Sequence, residues 1–222
     1  MTRVFSLNSL PNRRDNLELM LPNIIGQADI IYVNLIGWNT DYPAILQYRN
    51  IHITHLETGG SETRFMHYNK HPNSYYFTID DDILYPKDYS DVLVSKMEIY
   101  GNRVVCCVHG SIPDLSRKED YWTGRKLFAF QRPLQKDNQV LVPGVGTACF
   151  NTATTKMDIA DFVTPDMSDA YTSVFLYNQK IPVVCVERKA GWLYPLKEYG
   201  THIWGNHPKE EIDRLYRKTF GL

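Results

Sequence analysis

The feature that most constrains this chain is an apolar, aromatic stretch, residues 75–79, that leads into three consecutive carboxylates, Asp80, Asp81 and Asp82, and then a turn at Pro86. Such a run is typical of a strand buried on both faces of a sheet. Three adjacent like charges repel and raise one another's pKa unless a cation or strong hydrogen-bond donors compensate them. The fold must therefore supply that compensation at the end of a buried strand.

A divalent metal ion is the simplest compensation. Mg²⁺ or Mn²⁺ prefers carboxylate oxygens and usually keeps coordination positions open for substrate phosphates. The alternative is an acidic turn that caps the next helix, for which Pro86 and Asp88 are suitable residues. The buried character of the preceding strand favours the metal, and both interpretations remain open at this point.

The composition is that of an ordinary soluble globular protein. The chain has 222 residues, of which 43% are hydrophobic and 22% charged, with a net charge of −1. This is enough to bury the core of one α/β domain, and no basic excess points to nucleic acid as a partner. The N-terminus lacks a signal-peptide core, and no run of about 18 apolar residues predicts a transmembrane segment. The four cysteines lie in strand-like runs without zinc-site spacing, so we expect buried free thiols in a reducing compartment.

Strand-like and helix-like patterns alternate along the chain. Alternating apolar residues predict a first strand over residues 3–9, and helical spacing predicts a helix that ends at Gly26, with Pro22 as its weak point. A charged helix over residues 208–220 is expected to be a solvated cover. The alternation predicts an α/β fold, a single domain over residues 1–222 with a mainly parallel central sheet flanked by helices. Ligands of such sheets bind beyond the carboxyl ends of the strands.

Several short motifs follow one another in a set order. They are Ser9-x-Pro11-x-Arg13, the segment 60–65, the strand ending in the three aspartates, the Pro-Gly-Val-Gly-Thr loop 143–147, and Asp166-Met167-Ser168-Asp169 before a helix. Together they resemble the GT-A fold (Rossmann-like) nucleotide-sugar glycosyltransferases, in particular small bacterial capsule or lipopolysaccharide enzymes and the glycosyltransferase domains of large algal viruses. The resemblance spans about residues 4–204. It implies a nucleotide-binding part of about residues 1–100 and an acceptor-binding part of about 101–222.

The resemblance implies roles for the acidic triplet. Asp82 matches the last carboxylate of the family's Asp-x-Asp (DXD) motif, which binds Mn²⁺ or Mg²⁺. Asp80 matches the first carboxylate, which meets the ribose or the surroundings of the metal. Asp81 has the least defined role and is grouped with the nucleotide contacts. The metal would neutralise the diphosphate of the nucleotide sugar and stabilise the leaving nucleoside diphosphate.

The resemblance also implies basic and polar nucleotide contacts. Ser9, Pro11 and Arg13 match the first-strand loop that holds the base and ribose. Arg64 stands where related enzymes often carry a lysine after a Gly-Asp pair, although Gly60-Ser61-Glu62 interrupts that pattern here. A guanidinium suits phosphate because it can bind two oxygens at once.

Asp169 resembles the acidic residue that removes the proton from the acceptor hydroxyl in inverting members of the family. The alternative is that Asp169 caps the helix that follows it, in competition with Ser168 and Asp166. Asp166 is the substitute candidate for the base.

Three further side chains have two interpretations each. His202 falls in a tail segment where some family members have a phosphate or metal contact, whereas a lone histidine is commonly a packed or exposed side chain. Trp192 and Tyr121 could stack on sugar rings or belong to the core.

The leading hypothesis is a metal-dependent glycosyltransferase of the hexosyltransferase type, acting in polysaccharide or glycoprotein glycan biosynthesis. It would move a sugar from a nucleotide donor, expected to be a UDP-sugar, to a hydroxyl of a glycan acceptor. A nucleotidyltransferase is a second possibility, but that class typically has a glycine-rich loop after the first strand, and residues 10–13 contain no glycine. A non-catalytic nucleotide- or sugar-binding module is the third.

The hypothesis also concerns where the protein is located and whether it belongs to a larger protein. We expect a cytoplasmic protein, of a bacterium or of a virus-infected host cell, without a transmembrane segment. We leave open that the chain is one domain of a larger protein.

Overall fold

The computed structural model describes residues 1–39, 42–114, 121–197 and 209–221. The strands are β1 (Thr2–Ser9), β2 (Ile30–Ile36), β3 (Ile51–Leu56), β4 (Ser74–Ile79), β5 (Ile83–Leu84), β6 (Val105–Cys107), β7 (Gly110–Pro113), β8 (Arg125–Phe128), β9 (Asn138–Val140), β10 (Val142–Pro143), β11 (Thr147–Asn151), β12 (Val183–Cys185) and β13 (Tyr194–Pro195). The helices are α1 (Arg14–Ile24), α2 (Tyr89–Ile99), the short α3 (Tyr121–Gly124), α4 (Ser168–Asn178) and α5 (Lys209–Phe220).

Within these residues, a central sheet of eight strands has the order β3-β2-β1-β4-β11-β6-β12-β9. Strand β1 pairs in parallel with β2 and β4, and β2 with β3. Strand β11 is antiparallel to both β4 and β6, β12 is parallel to β6, and β9 is antiparallel to β12. The predicted α/β class is confirmed, and the sheet is parallel through β4 and mixed beyond it. Strands β10, β7 and β8 form a smaller sheet, and β13 pairs with β5.

Apolar side chains cover both faces of the central sheet. Along β1, Val4 packs on one face and Phe5 on the other, and Tyr76 and Phe77 of β4 divide in the same way. This division follows from the two-residue period of a strand. The Phe5 and Phe77 rings stack with centroids 4.4 Å apart beneath α1 and α2, whereas α4 and α5 cover the opposite face. The strand with the carboxylate triplet is thus buried on both sides, as predicted.

The acidic turn does not cap the helix that follows it. Helix α2 begins directly after Asp88, whose side chain makes no capping hydrogen bond. The Asp88 carboxylate accepts a hydrogen bond from the Trp192 ring nitrogen instead, at 3.1 Å. The helix-cap interpretation of the triplet is therefore wrong.

Helix α5 is more than a solvated cover. Four of its charged residues are exposed, namely Lys209, Glu210, Arg214 and Lys218, but Ile212 and Tyr216 are buried. The Tyr216 ring packs edge-on against Tyr121 with centroids 4.8 Å apart. The prediction missed this apolar stripe because the helix is charged along most of its length.

Two expectations from composition can be compared with the described residues. Cys106, Cys107, Cys149 and Cys185 are free and buried, which confirms the prediction for the thiols. No helix among residues 1–39, 42–114, 121–197 and 209–221 is both long enough and apolar enough to span a bilayer.

Pro22 interrupts the hydrogen bonds of α1 without dividing the helix. A proline inside a helix destabilises the folded state by about 3 kcal/mol. Replacing it also makes the unfolded chain more flexible, which lowers stability by about 1 kcal/mol. We therefore expect Pro22→Ala to raise the free energy of unfolding by about 1–2 kcal/mol. Pro22 is exposed, so the substitution removes little packing. Urea denaturation measures the change, with Leu19→Ala on the exposed face of α1 as control. A loss of stability would mean that the proline is needed to shape the helix.

Candidate active site

The carboxyl ends of several strands meet at one edge of the sheet. Because β1 and β4 are parallel, residues 9–13 and the aspartate triplet lie at the same edge. Strand β11 runs the other way, and its first residue, Thr147, pairs with Ile79 at the end of β4. The loop 143–147 therefore arrives at this edge from the opposite direction. Reversal of one strand brings the glycine-containing loop to the acidic turn.

The three consecutive carboxylates have different surroundings. Asp81 is 2% exposed and accepts a hydrogen bond from Arg13 Nη1 at 2.6 Å. Asp80 pairs with Arg64 Nη1 at 2.6 Å. Asp82 has a longer contact, 3.3 Å, with the same Arg13 nitrogen that binds Asp81. Asp81 thus anchors Arg13 within the protein, and Asp82 keeps the weakest of the three contacts with a cation.

The unequal surroundings appear in the pKa values. Burial raises the pKa of Asp81, and the adjacent Arg13 and the Ser9 hydroxyl act against that rise. Burial is also the main reason that the pKa of Asp82 is raised to about 6, and the negative charges of Asp80 and Asp81 add to it. An excess of negative charge remains at Asp82, which a bound cation would relieve.

The residues at this turn fit a divalent metal ion. Among the described residues, no group of three or more His, Cys, Asp or Glu side chains forms a metal site. Mg²⁺ and similar ions, however, are usually held by one or two carboxylates together with substrate phosphates and water. Asp80 and Asp82 supply such carboxylates beside a cavity. His202, the other predicted metal contact, lies outside the described residues.

Two cavities adjoin the acidic turn. The first, here called the β1 cavity, has a volume of about 270 Å³ and lies at the end of β1. The second, the α4 cavity, has a volume of about 350 Å³ and extends to the start of α4. Both cavities are lined by Ser61, Arg64, Asp80, Asp82 and Asp166. A ligand in one cavity would therefore contact the same acidic and basic wall as a ligand in the other.

Arg64 reaches the site from a 3-10 turn, Ser61–Phe65. Its Nε donates to the Ser61 carbonyl at 2.9 Å, which orients the guanidinium toward Asp80. The Asn8 side chain of β1 donates to the Gly60 carbonyl at 3.0 Å and so ties the turn to the sheet. The interrupted Gly-Asp pattern in the sequence thus does not keep Arg64 away from the triplet.

Reciprocal hydrogen bonds join this turn to the segment before α4. The Ser61 N–H donates to Asp166 Oδ1 at 2.8 Å, and the Asp166 N–H donates to Glu62 Oε2 at 3.0 Å. A Cβ at Gly60 would come within 2.9 Å of the Asp166 backbone nitrogen, so this approach requires glycine. The Asp166 carboxylate is engaged in holding the two segments together, which makes it a poorer candidate for the base than Asp169.

Asp169 lies in the first turn of α4 and does not cap it. The residue before the helix, Met167, makes no side-chain cap, and Asp169 Oδ1 instead accepts the Val145 N–H at 2.9 Å. Asp169 is exposed to the α4 cavity, and the protein around that cavity still partly desolvates its carboxylate. Burial raises the pKa of Asp169 to about 6 and Asp80 adds to this, whereas the Val145 N–H, Arg64 and Arg125 lower it. A carboxylate with this pKa can accept a proton near neutral pH.

The α4 cavity is lined by Tyr121, which was predicted to stack on a sugar or belong to the core, and by three residues that the sequence did not single out, Trp122, Arg125 and His109. The Arg125 guanidinium lies 4.4 Å above the Trp122 ring and 5.0 Å above that of Tyr121, and all three line the cavity. His109 also lines it, and burial, with Arg125 and Arg188, lowers its pKa to about 4, so this imidazole is neutral at pH 7. Aromatic faces next to polar groups suit the two faces of a sugar ring. Trp122 and Arg125 carry no sequence signal because the stretch around them shows no clear helix or strand period, and His109 carries none because a lone histidine forms no motif.

The remaining predicted residues divide into two groups. Ser9 and Arg13 line the β1 cavity, and Ser9 is buried. Pro11 begins the 3-10 turn Pro11–Arg13 and is exposed, and Leu10 lines the cavity next to it. Trp192 packs near Tyr89 with ring centroids 5.9 Å apart and lines neither cavity, so its predicted stacking on a sugar does not fit its position.

Solved structures with the same architecture identify the fold. S. aureus TarS 1-349 in complex with UDP-GlcNAc matches with a TM-score of 0.59 and 14% identity, over 99% of this chain and 65% of that one. The chain has the fold of GT-A-type glycosyltransferases. A second structure of S. aureus TarS matches with a TM-score of 0.55 and 12% identity, over 89% of this chain and 37% of that one. Another structure of TarS 1-349 has a TM-score of 0.54 and 15% identity, over 88% of this chain and 60% of that one.

The comparisons based on sequence add nothing to this result. No protein-family model matches the chain, and no curated protein matches it. The chain spans 65%, 37% and 60% of the lengths of the three TarS structures. The similarity therefore concerns the fold that these proteins share with the present chain.

The Arg13–Asp81 pair gives a prediction for stability. Because Asp81 is buried, Arg13→Met leaves an uncompensated carboxylate, and we expect the free energy of unfolding to fall by about 3–5 kcal/mol. The double variant Arg13→Met/Asp81→Leu should recover most of that loss, since neither charge is then buried. Asp91→Ala removes a mostly exposed partner of Arg3 and serves as control, with an expected cost of at most about 1 kcal/mol. Equal losses in the single and double variants, by urea denaturation, would contradict the pairing.

Proposed function

We propose that this protein is a metal-dependent glycosyltransferase that moves a sugar from a nucleotide-sugar donor, a UDP-sugar, to a hydroxyl of a glycan acceptor. One observation carries the proposal: two adjoining cavities share a wall of Arg64, Asp80 and Asp82, and Asp169 lines the second cavity. The shared GT-A fold, and the UDP-GlcNAc bound by S. aureus TarS, support a nucleotide sugar as the donor.

The nucleotide would occupy the β1 cavity. Its lining combines Ser9 and Arg13 from the first-strand loop with Arg64 and the acidic wall. Guanidinium groups bind phosphate oxygens in pairs, which suits a diphosphate next to Arg64. In this arrangement Asp81 acts through Arg13, because its carboxylate is buried against that side chain. The sugar of the donor would project past the shared wall into the α4 cavity.

Asp82 and Asp80 would hold a Mn²⁺ or Mg²⁺ ion at the shared wall. When bound, such an ion supplies charge neutralisation for the diphosphate and stabilises it as a leaving group. The raised pKa of Asp82 supports this assignment, since burial and then the negative charges of Asp80 and Asp81 disfavour its ionised form, and a bound cation would favour it. His202 stays a proposed contact of the metal or the phosphates.

Asp169 would act as the general base. Its Oδ1 is held by the Val145 N–H, which leaves Oδ2 for the hydroxyl of an acceptor in the α4 cavity. The proton of that hydroxyl passes to Asp169 as the oxygen forms its bond to the anomeric carbon, while the bond to the diphosphate breaks. Attack from the side opposite the leaving group inverts the anomeric configuration, which NMR of the product would detect. If the product keeps the anomeric configuration, Asp169 would instead bind the acceptor or stabilise the positive charge that develops on the sugar.

The division of the chain into two parts agrees with this assignment. The β1 cavity is lined by residues between 8 and 82 together with Asp166. Most residues of the α4 cavity lie between 109 and 216. We therefore propose a single domain, with nucleotide binding in about residues 1–100 and acceptor binding in about 101–222.

Turnover of a panel of UDP-sugars, including UDP-GlcNAc, tests the proposal. Release of UDP and formation of a glycosylated product are measured with and without Mn²⁺. Because Asp82 would hold the ion, we expect Asp82→Asn to lower transfer at least about 100-fold while thermal stability is kept. Asp161→Asn, an exposed carboxylate outside both cavities, is the matched control.

Other outcomes of the same panel identify the alternatives. Full activity of Asp82→Asn would contradict the metal site. Release of pyrophosphate from a nucleoside triphosphate and a sugar phosphate would identify a nucleotidyltransferase. Binding of UDP-sugars without turnover of any donor or acceptor would identify a binding module.

The pKa of Asp169 predicts the pH dependence of transfer. The base must be ionised, so below about pH 6 the value of kcat/KM should fall about tenfold per unit, and above it the rate should level off. Asp82 has a similar pKa, but its protonation competes with metal binding. If Asp82 caused the acidic limb of the pH profile, that limb would move to lower pH as the Mn²⁺ concentration is raised. A limb due to Asp169 does not move. Asp169→Asn should remove it and lower kcat by about 10²–10⁴-fold; an unchanged limb in that variant would exclude Asp169 as the base.

A further inference from the structure

Tyr85 is a buried tyrosine whose hydroxyl lies between two functional segments. The side chain is 1% exposed. Its hydroxyl oxygen accepts the Asp80 backbone N–H at 2.9 Å and donates to the Gly146 carbonyl at 2.5 Å. The hydroxyl thus joins the turn after β4 to the loop before β11.

The two hydrogen bonds lie where the sheet would otherwise continue. Strands β4 and β11 are antiparallel and pair Ile79 with Thr147, so Asp80 and Gly146 are the next pair in register. At this step the Asp80 N–H reaches the Gly146 carbonyl through the Tyr85 hydroxyl instead of directly. A hydroxyl inserted between the two strand ends holds them further apart than a direct ladder bond would.

The loop that Tyr85 holds also orients the proposed base. The Val145 N–H, one residue before Gly146, donates to Asp169 Oδ1. On the other side of the loop, the Asp80 carboxylate packs against Gly146 so closely that a Cβ there would overlap it. One short loop therefore contacts both carboxylates, Asp80 at the donor and Asp169 at the acceptor.

We propose that Tyr85 is a positioning residue that sets the separation of Asp80 and Asp169 by holding the end of β4 apart from the loop 143–147. The proposal rests on the proposed function for the roles of these two carboxylates. Without the hydroxyl, the strand ends either close to a direct hydrogen bond or admit a water molecule. Either change moves Gly146 and Val145, and with them the hydrogen bond to Asp169.

A neighbouring tyrosine provides a matched control. Tyr89 is also fully buried, and its ring lies 4.8 Å from that of Tyr85. Its hydroxyl has no hydrogen-bond partner among the described residues. Tyr85→Phe and Tyr89→Phe therefore remove the same atom from the same part of the core, and only the first breaks the link to Gly146.

The first measurement is independent of catalysis. In metal-free protein, carboxyl ¹³C NMR follows the titration of Asp169, whose ionised form the Val145 N–H stabilises. The charged or titratable groups that act on it are Asp80, Arg64, Arg125, Tyr121 and Tyr216. We expect Tyr85→Phe to raise the pKa of Asp169 above that of the wild type, and Tyr89→Phe to leave it unchanged. An unchanged pKa in Tyr85→Phe overturns the proposal.

The second measurement separates positioning from general stability. We expect Tyr85→Phe to lower kcat for sugar transfer by about 10–100-fold with the KM for the nucleotide sugar changed less than about threefold, since small displacements at the reacting groups have effects of this size. Tyr89→Phe should keep the wild-type kcat at a similar Tm. Equal kcat values in the two variants overturn the proposal. If the wild type transfers no sugar, the proposed function fails, and the NMR titration still decides the role of Tyr85.

A second pair of variants tests the same link from the loop. Gly146→Ala forces the loop 143–147 and the Asp80 carboxylate apart, so the pKa of Asp169 is expected to differ from that of the wild type. Gly26→Ala, where a Cβ meets nothing within 4 Å, is the control. If Tyr85→Phe does not fold, the loop variant gives the same readout, and a wild-type titration in Gly146→Ala then counts against the link.

Discussion

Repulsion among Asp80, Asp81 and Asp82 is the constraint on which the rest of the site depends. The three side chains have different environments. Asp81 is buried against Arg13, whereas Asp80 and Asp82 both line the cavities, with Asp80 paired to Arg64. Two guanidinium groups face three carboxylates, so negative charge remains where the two cavities meet. This residual charge is the electrostatic reason for proposing that a divalent ion and a diphosphate bind there.

The reversed strand β11 turns this acidic edge into a two-sided site. In a fully parallel sheet, every loop at the carboxyl edge would follow a strand and lead into a helix. Because β11 is antiparallel to β4, a loop that precedes a strand, 143–147, arrives at the same edge. That loop contacts the Asp80 carboxylate through Gly146 and Asp169 through Val145. The proposed donor and acceptor sides of the site are thereby connected through a few residues of backbone.

Features with a local physical cause were predictable from the sequence. The first strand, predicted over residues 3–9, is β1 (Thr2–Ser9), and the buried strand before the triplet, the thiols and the α/β class follow from periodicity and composition. Arg64 and Asp169, which the resemblance named from short motifs, both line the α4 cavity, and their roles stay predictions. The helix-cap interpretation of the triplet was wrong, since capping depends on the orientation of Asp88, which Trp192 determines from 104 residues away. The apolar stripe of α5 was missed because its burial depends on packing against Tyr121, which lies far from α5 along the chain.

The sequence by itself therefore determined that a buried strand must end in three carboxylates and that cations or strong hydrogen-bond donors must compensate them, because like-charge repulsion acts between neighbours in the chain. It also determined the class of fold, through the alternation of strand and helix patterns. Only the tertiary structure decided which carboxylate is buried, which is paired and which faces the cavities. It alone linked Tyr85 to Gly146 and Asp169, because these contacts join residues 61 and 24 positions apart, and no local pattern records such distances.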